Sequence, residues 1–492
     1  MRLNQYLITN NPSIKIEGFN TQLFNGYTIH SDTSLKTSLS YKLNNICIIG
    51  YIFNPITNEN CTKNIADILS NLDNEDAILE YIEQCSGRFL ILFKTNNDIK
   101  IINDFLGTRR VFYFKENANH YISSCDKLLL GYSQKKLNIN SKVKDLKDNA
   151  LFLKVQEHLF VGDTEWDQDF KILQPNHILN INSFKANRIK IYCTKKLLVP
   201  ELVTLNAKII DRTIKHIDKI GSYKIALTAG IDSRVLVGSV IKNKLKSVFF
   251  TFTRNDAYVK RDNIIAEKIC KTFNLKHQSI KLKPLTNEFL NEYKSQFTFP
   301  RILGKTKNIQ WLKYNYNKKY IITANGAGII KSPHNYLFKI KDYRDKRIGH
   351  LQNEDEKKDY LNKWINSNKD YIKKYNFQAS DLFYLEEILS KFVAKWSYEL
   401  DFSNVEDISP YNNKYLIYSI LFNTTPIQRP KSGALIQKEL LSYYDKKLLS
   451  IPINPKILKD YIKQILLYNQ TKKIIQPLLY RLKKQKTYII LV

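Results

Sequence analysis

The sequence predicts an α/β protein in which a layered, β-rich amino-terminal domain precedes a parallel sheet wound with helices. The first part of the chain contains short apolar runs separated by turns, which are typical of strands. The clearest runs lie at residues 45–53, 87–93 and 99–103. We therefore expect a layered α+β domain over residues 1–197.

From about residue 200 the pattern changes to alternating strands and helices. Strand-like runs lie at 223–227, 248–253 and 320–323, and helical patterns lie at 233–242 and 262–273. This alternation predicts a doubly wound parallel sheet, in which ligand loops follow the carboxyl ends of the strands. We assign residues 198–492 to this second domain.

Beyond residue 340 the sequence is predominantly helical. Apolar spacing indicates helices at 381–396 and 415–422, and the charge-rich stretch 341–374 indicates a solvated surface. The last 37 residues are rich in Lys and Arg, with Asp460 as their one acidic residue. Their apolar positions recur at helical spacing, which predicts an amphipathic helix that packs on the protein or binds an acidic partner or a membrane surface.

Composition excludes several classes of protein. With 492 residues, 43% of them hydrophobic, the chain is long enough for two or three domains with a full core. The formal charge of +31 accompanies a general abundance of Lys, Asn, Ile and Tyr, so we attribute it to coding bias and expect no specific nucleic-acid partner. A signal peptide and a transmembrane run are both missing from the sequence, which predicts a cytoplasmic protein.

The cysteines and histidines show no metal-ligand spacing. Six cysteines are scattered without a Cys-x-x-Cys pair, so neither a zinc site nor a disulfide scaffold is expected. Cys47 and Cys85 lie in apolar, strand-like surroundings, which predicts buried structural thiols.

The most informative stretch runs from Tyr223 to Arg234, where an apolar strand leads through small residues to Asp-Ser at the start of a helix. A helix N-terminus offers unpaired N–H groups and a partial positive charge, which suit a phosphate. The hydroxyls of Thr228 and Ser233 add donors, and Asp232 has the carboxylate that a magnesium ion prefers. Arg234 either assists this site or forms a salt bridge. An ordinary strand-to-helix turn is the alternative interpretation.

Residues 228–233 resemble the Ser-Gly-Gly-x-Asp-Ser pyrophosphate loop of the asparagine synthetase family. Other segments resemble the same family in order and spacing. In the carboxy-terminal half they are 249–253, 262–267, 275–277, 381–386, 409–414 and 451–455. In the amino-terminal half, which resembles the glutaminase-type domain of the family, they are 87–89, 104–113, 121–124 and 162–177. The resemblance implies an Ntn glutaminase-like domain followed by an ATP-pyrophosphatase domain.

One departure from the family concerns glutaminase chemistry. The family uses a cysteine at the start of the chain, and position 2 here is Arg2. Other residues of the domain offer no substitute for a thiol held beside an α-amine. We therefore expect an inactive domain that acts as a scaffold or a substrate-recognition surface, and a nitrogen donor that is free ammonia or an amine.

The resemblance implies an ATP-dependent, AMP-forming carbon–nitrogen ligase. Such an enzyme activates a small-molecule or peptide carboxylate as an acyl-adenylate, releases pyrophosphate and forms an amide. ATP and Mg2+ are the implied cofactors, Asp232 is the implied metal ligand, and no catalytic residue is assigned. The implied ATP- or pyrophosphate-binding residues are Thr228, Ala229, Gly230, Asp232, Ser233, Thr253, Asn325 and Gly326.

A second departure lies in the loop 324–329 after the third strand of the parallel sheet. The family places acidic residues there, whereas this loop reads Ala-Asn-Gly-Ala-Gly-Ile. Loss of a carboxylate weakens magnesium binding, and the methyl group of Ala229 takes room from a phosphate. Two hypotheses stay open. Asp232 and Ser233 favour an active ligase, and the loop 324–329 favours a catalytically degenerate member that acts as a nucleotide-binding or protein-interaction scaffold.

Overall fold

The computed structural model describes residues 4–96, 98–133, 135–141, 160–298, 305–331, 354–425, 428–429 and 434–457. The amphipathic helix expected near the carboxy terminus and residues 341–353 of the charge-rich stretch lie outside these ranges. Among the described residues, no helix has both the length and the apolar character that a membrane crossing needs. The described strands form two antiparallel sheets and one parallel sheet, so the fold is a mixed α/β fold.

The amino-terminal part contains the two antiparallel sheets. In chain order its strands are β1 (Tyr6–Thr9), β2 (Phe19–Phe24), β3 (Tyr27–Asp32), β4 (Thr37–Tyr41), β5 (Asn45–Phe53), β6 (Ser86–Thr95), β7 (Asp98–Asn103), β8 (Phe112–Glu116), β9 (Asn119–Ser123), β10 (Lys171–Ile172), β11 (His177–Asn180) and β12 (Lys185–Arg188). One sheet has the order β10-β8-β9-β1-β3-β2, and the other has the order β12-β11-β7-β6-β5-β4. Its helices are α1 (Thr62–Ser70), α2 (Glu75–Glu83) and α3 (Asp126–Tyr132).

These two sheets pack face to face because successive side chains of each strand point to opposite sides. On β5, Cys47 and Ile49 belong to the core between the sheets, whereas Ile46 and Ile48 pack with α1 and α2 on the outer face. Cys47 and Cys85 are both buried, as predicted. Burial raises the pKa of the Cys47 thiol to about 12, so this thiol is protonated and unreactive at neutral pH.

The carboxy-terminal part is built on the parallel sheet, whose order is β15-β14-β13-β16-β17. Its strands are β13 (Tyr223–Ala226), β14 (Val248–Thr253), β15 (Lys276–Lys281), β16 (Tyr320–Ile322) and β17 (Glu406–Ile408). Its helices are α4 (Val199–Ile220), α5 (Ile231–Lys242), α6 (Ala257–Thr272), α7 (Asn287–Gln296), α8 (Thr306–Asn315), α9 (Glu354–Tyr375), α10 (Ala379–Phe383), α11 (Ser390–Leu400), α12 (Lys414–Asn423), α13 (Leu435–Tyr444) and α14 (Lys447–Ser450). A π-helix, Tyr384–Leu389, joins α10 to α11, and a short 3-10 helix spans Ala327–Lys331.

Both faces of the parallel sheet are covered. Ile225 and Phe249 lie in a core cluster with residues of α4, α5 and α6, whereas Phe250 and Ile321 lie in a second cluster with residues of α7 and α8. β14 and β16 therefore read as apolar runs, which explains why their positions could be predicted. The division between residues 197 and 198 stays a prediction, and α4 begins at Val199.

Some helix bounds differ from those predicted. The helix predicted at 262–273 begins earlier, at Ala257, because the carboxylate of Asp256 accepts hydrogen bonds from the N–H groups of Tyr258 and Val259 and so caps it. The helix predicted at 381–396 is divided into α10, the π-helix and α11.

A buried polar network joins the two halves of the chain. Arg88 on β6 donates to both carboxylate oxygens of Asp401, over 2.6 and 2.8 Å. The side chain of Asn412 donates to Asp104 over 2.9 Å and accepts from the backbone N–H of Leu106 over 2.8 Å. Because buried polar groups of this kind are costly unless they are paired, the network fixes how the halves meet.

Candidate functional site

The 228–233 loop connects β13 to α5 at the carboxyl edge of the parallel sheet. β13 is the middle strand, and it pairs in parallel with β14 on one side and β16 on the other. The loops that follow these three strands therefore lie at one edge of the sheet, where ligands bind in folds of this type. The N-cap of α5 is Gly230, which has no side chain to accept hydrogen bonds from the first turn.

Two hydroxyl groups shape this loop. The oxygens of Thr228 and Ser233 are 3.1 Å apart. The backbone N–H of Thr228 donates to Ser233 Oγ, and the N–H of Gly230 donates to Thr228 Oγ1, each over 3.2 Å. Thr228 is exposed, whereas Ser233 is buried. The predicted residues thus lie together, with the Thr228 side chain on the solvent side of the turn.

Ala229 is fully buried, and its methyl group belongs to the core around α5. Its N–H donates to a carboxylate oxygen of Asp262 over 3.3 Å, and its carbonyl accepts from the N–H of Asn454 over 3.1 Å. Burial raises the pKa of Asp262. The expectation that this methyl group takes room from a phosphate is therefore wrong, because the side chain packs into the protein interior.

Arg234 lies behind the loop rather than on its ligand side. Its guanidinium is fully buried and donates to the main-chain carbonyls of Leu448, Ile451 and Pro452, over 2.8, 2.5 and 2.9 Å. Loss of water lowers its pKa to about 10, so it stays charged at neutral pH. Arg234 therefore neither assists a phosphate site nor forms a salt bridge with any described residue. It fastens the segment 448–454 to the loop.

Asp232, the predicted metal ligand, forms an ion pair with Lys331, the last residue of the 3-10 helix Ala327–Lys331. Its other carboxylate oxygen lies 3.5 Å from the side-chain nitrogen of Gln437 on α13. Across the described part of the chain, no group of three or more His, Cys, Asp or Glu side chains could hold a metal ion. A single carboxylate that already has an ammonium partner does not fit a magnesium site formed by the protein.

The loop after β16 turns its polar side chain toward β17. Asn325 donates to a carboxylate oxygen of Asp407 over 2.6 Å, and the Thr323 hydroxyl donates to the other oxygen over 2.7 Å. The indole N–H of Trp396 adds a third bond, over 2.8 Å. Burial raises the pKa of Asp407. Asn325 therefore stabilises a buried carboxylate of the neighbouring strand.

Thr253 and Gly326, the other two predicted residues, differ in position. Thr253 ends β14 at the carboxyl edge of the sheet and is half-buried. Gly326 is buried, has a φ of +94°, and faces Leu106 of the amino-terminal half. Thr253 thus keeps a position from which it could contact a ligand, whereas Gly326 serves the packing between the two halves.

Four residues at this edge escaped prediction: Lys331, Gln437, Asp262 and Asp407. Lys331 had a local signal, because it follows the 324–329 loop by two residues. Gln437 and Asp407 are brought to the site by α13 and β17, and nothing in their local sequence marks them. Asp262 on α6 opens the 262–267 segment, which was noted for its resemblance without a role at the site.

The 104–109 segment of the amino-terminal half uses its polar residues for buried structural contacts. Asp104 is buried and accepts from the N–H groups of Thr108 and Arg109, over 2.8 and 2.7 Å. The guanidinium of Arg109 is buried and donates to the carbonyl of Asn4 over 3.2 Å. Arg2 lies outside the described residues. The described part of this region thus behaves as a structural core, in keeping with a scaffold role that stays a prediction.

Comparison with known proteins gives only distant similarities. No family model matches the sequence, and no curated protein matches it. Among solved structures, NMN synthetase from Francisella tularensis shares 13% identity over 42% of this chain and 93% of its own, with a TM-score of 0.22. Glutamine PRPP amidotransferase from B. subtilis, complexed with ADP and GMP, shares 8% over 68% and 71%, with a TM-score of 0.23. Glutamine-dependent NAD+ synthetase from Acinetobacter baumannii, in complex with ADP, shares 12% over 39% of each chain, with a TM-score of 0.18.

Similarities this low carry no argument about activity. The resemblance to the asparagine synthetase family stays a hypothesis. Function therefore has to be argued from the residues at the carboxyl edge of the parallel sheet.

Proposed function

We propose that this chain binds ATP at the 228–233 loop and works as an AMP-forming ligase that joins a carboxylate to ammonia or an amine. The observation that supports it best is the position of the loop, which follows the central strand of a parallel sheet and leads into a helix whose N-cap is Gly230. Helix N-termini at this edge bind phosphate in many α/β folds. The hydroxyls of Thr228 and Ser233 add polar groups to the same turn.

The proposed reaction has two steps. A carboxylate oxygen of the substrate attacks the α-phosphorus of ATP, which forms an acyl-adenylate while the bond to the β-phosphate oxygen breaks and pyrophosphate leaves. The nitrogen lone pair of ammonia or an amine then attacks the acyl carbon, the carbon–oxygen bond to AMP breaks, and a proton is released. The proposed role of the loop is to stabilise the negative charge that develops on the leaving pyrophosphate.

The asparagine synthetase-like character of this reaction, the carboxylate substrate and the nitrogen donor all belong to the proposal. An acidic partner for the last 37 residues, which are rich in Lys and Arg, also belongs to the proposal. Magnesium enters only as an ion that accompanies ATP from solution, because the donors at the loop do not fit a metal site of the protein.

A nucleotide-binding scaffold without catalysis is the second candidate. It is favoured by the intramolecular partners of two predicted side chains, since Asp232 is paired with Lys331 and Asn325 is bonded to Asp407.

The test is a pyrophosphate-release assay with ATP, ammonium and a panel of carboxylates, run on the wild type, Asp232→Ala and Asp218→Ala. We expect release by the wild type and a loss of at least about 100-fold in Asp232→Ala, because Asp232 holds the Lys331 ammonium at the loop, and loss of charge stabilisation of a leaving group costs this much. Asp218→Ala is the matched control, since Asp218 is exposed on α4 and accepts a hydrogen bond from the Tyr223 hydroxyl; it should stay within about twofold.

Three results would contradict the ligase. Full activity in Asp232→Ala would show that the catalytic site lies elsewhere in the protein. ATP binding by calorimetry without pyrophosphate release from any carboxylate would favour the scaffold, and the absence of ATP binding would remove both candidates.

A further inference from the structure

We propose that the ammonium group of Lys331, held by Asp232, takes the place of a protein-bound divalent cation at the 228–233 loop. This inference rests on the proposed function, because it explains how the same site binds a polyphosphate. The chain would then bind the phosphates of ATP with a cation of its own, and binding would depend little on magnesium.

The first step of the argument concerns Asp232. It lies in the first turn of α5, beside the N–H groups that would receive a phosphate. A carboxylate at this point repels a phosphate unless a cation lies between them. In this structure that cation is Lys331, which contacts one carboxylate oxygen of Asp232.

The second step concerns the capacity of the ammonium group. It has three N–H donors, and one of them is enough to hold it on Asp232. The Lys331 side chain is 22% exposed and that of Asp232 is 19% exposed, so the pair is reachable from solvent without being freely hydrated. The remaining donors can bond phosphate oxygens, and such charge-assisted bonds are among the strongest in proteins.

The third step concerns how Lys331 is held. It directly follows Ile329 and Ile330, which are buried in the core at 0% and 1% exposure. These two side chains fix the backbone of the 3-10 helix, so the Lys331 side chain starts from a defined point. The loop that contributes no carboxylate therefore contributes an ammonium group at its end.

An occluding role for Lys331 leads to the opposite expectation. If its pairing with Asp232 only closed the loop, removal of the ammonium would open the site and strengthen the binding of phosphate. Removal weakens binding if the ammonium is a ligand. The two roles therefore predict opposite changes in phosphate affinity when the Lys331 ammonium is removed.

The experiment is calorimetric titration of the full chain with ATP and with inorganic pyrophosphate, in magnesium and in EDTA. We expect the wild-type affinity to change by less than about threefold when magnesium is removed. Lys331→Met should bind at least about tenfold more weakly in EDTA, because a charge-assisted bond is lost, and should regain affinity in magnesium once Asp232 is free to hold the metal. Lys331→Arg keeps the charge and should stay close to the wild type.

Lys242→Met is the matched control, since Lys242 lies at the other end of α5, with its ammonium 4.0 Å from the centre of the Tyr443 ring. It should bind as the wild type does. Thermal melting of each variant verifies that it is folded, and Lys331→Gln replaces Lys331→Met if the latter unfolds.

Several outcomes would overturn the inference. One is wild-type binding that EDTA abolishes and that Lys331→Met leaves unchanged. Another is stronger binding by Lys331→Met, which would identify Lys331 as an occluding group. If the wild type binds neither probe in either condition, the proposed function fails as well, and this result is distinct from the other two.

Discussion

Asp401 and Asp232 are each paired with a cation, in very different surroundings. Asp401 accepts a hydrogen bond from each of the two terminal nitrogens of the Arg88 guanidinium, and both side chains are at most 3% exposed. Asp232 is paired with the single ammonium group of Lys331, and both side chains are about one-fifth exposed. The planar, two-point contact suits a permanent joint between the halves of the chain, whereas a partly exposed ammonium keeps donors for another partner.

This difference shows how the exposure of an ion pair indicates its role when its two residues lie far apart in the sequence. A fully buried ion pair leaves no free donor, so it contributes to structure. A partly exposed pair at the edge of a parallel sheet contributes little to stability and retains the capacity to bind an anion.

The largest expected effect follows from breaking the buried pair. Arg88→Ala leaves the Asp401 carboxylate buried without its cation, and we expect it to lower the free energy of unfolding by about 3–5 kcal/mol. Asp232→Ala, by contrast, should lower it by less than about 1 kcal/mol, because its pair is partly hydrated. Urea denaturation measures both. Equal losses in the two variants would show that the comparison is wrong.

A smaller effect tests whether the interface extends to the loop after β16. Gly326 has a φ of +94°, and an added Cβ would lie 2.6 Å from Leu106 Cδ1. Gly326→Ala should therefore cost about 2 kcal/mol or more, from backbone strain and overlap. Gly328→Ala is the control, since its added Cβ would come no closer than 3.4 Å to the Tyr384 hydroxyl, and it should cost less than about 1 kcal/mol.

Leu106→Ala in the Gly326→Ala background separates the two causes. Leu106→Ala leaves a cavity and is destabilising by itself, so the quantity to compare is the cost of Gly326→Ala with and without Leu106→Ala. With Leu106→Ala present, this cost should fall to the part that comes from the backbone. An equal cost in both backgrounds would show that Leu106 does not carry the contact between the interface and the loop.

The sequence was sufficient for the elements that bury apolar side chains in a regular pattern. β5 and β14 span the predicted residues 45–53 and 248–253, because their apolar runs are bounded by polar residues. The 228–233 loop was located in the same way, by small residues between an apolar strand and a helix. These patterns are local in the sequence, and the elements that they predict are present in the folded structure.

The remainder depends on contacts between distant parts of the chain. β17 has only three residues, two of them the buried acids Glu406 and Asp407, so it has no apolar alternation. Arg88 and Asp401 are separated by 313 positions, and no periodicity connects them. Lys331 could be noticed as a charge near the site, but its partner Asp232 lies on another element.

The smallest expected effect concerns pH and a third contact between the halves. The His216 ring on α4 lies 4.4 Å from the Phe53 ring of β5, measured between centroids. Burial, together with the charge of Lys219, lowers the pKa of His216 to about 4. The unfolded chain binds a proton at this residue near pH 6.5 and the folded chain does not, so stability is lost as the pH falls from about 6.5 toward 4.

His216→Gln removes this titration. Urea midpoints measured at neutral pH and near pH 5 should therefore fall less for the variant than for the wild type. The same fall in both proteins would show that His216 is not the group responsible.

The bonds that fasten Arg234 also have a consequence for biosynthesis. Its three carbonyl partners follow it by 214 to 218 positions in the chain. At roughly 5–20 residues per second, a ribosome needs about ten to forty seconds to synthesise that distance. During this time every residue of the 228–233 loop has been synthesised, while the guanidinium of Arg234 is still hydrated. A stop codon between residues 235 and 447 would therefore yield a chain that contains every residue of the loop and lacks the segment that packs behind it.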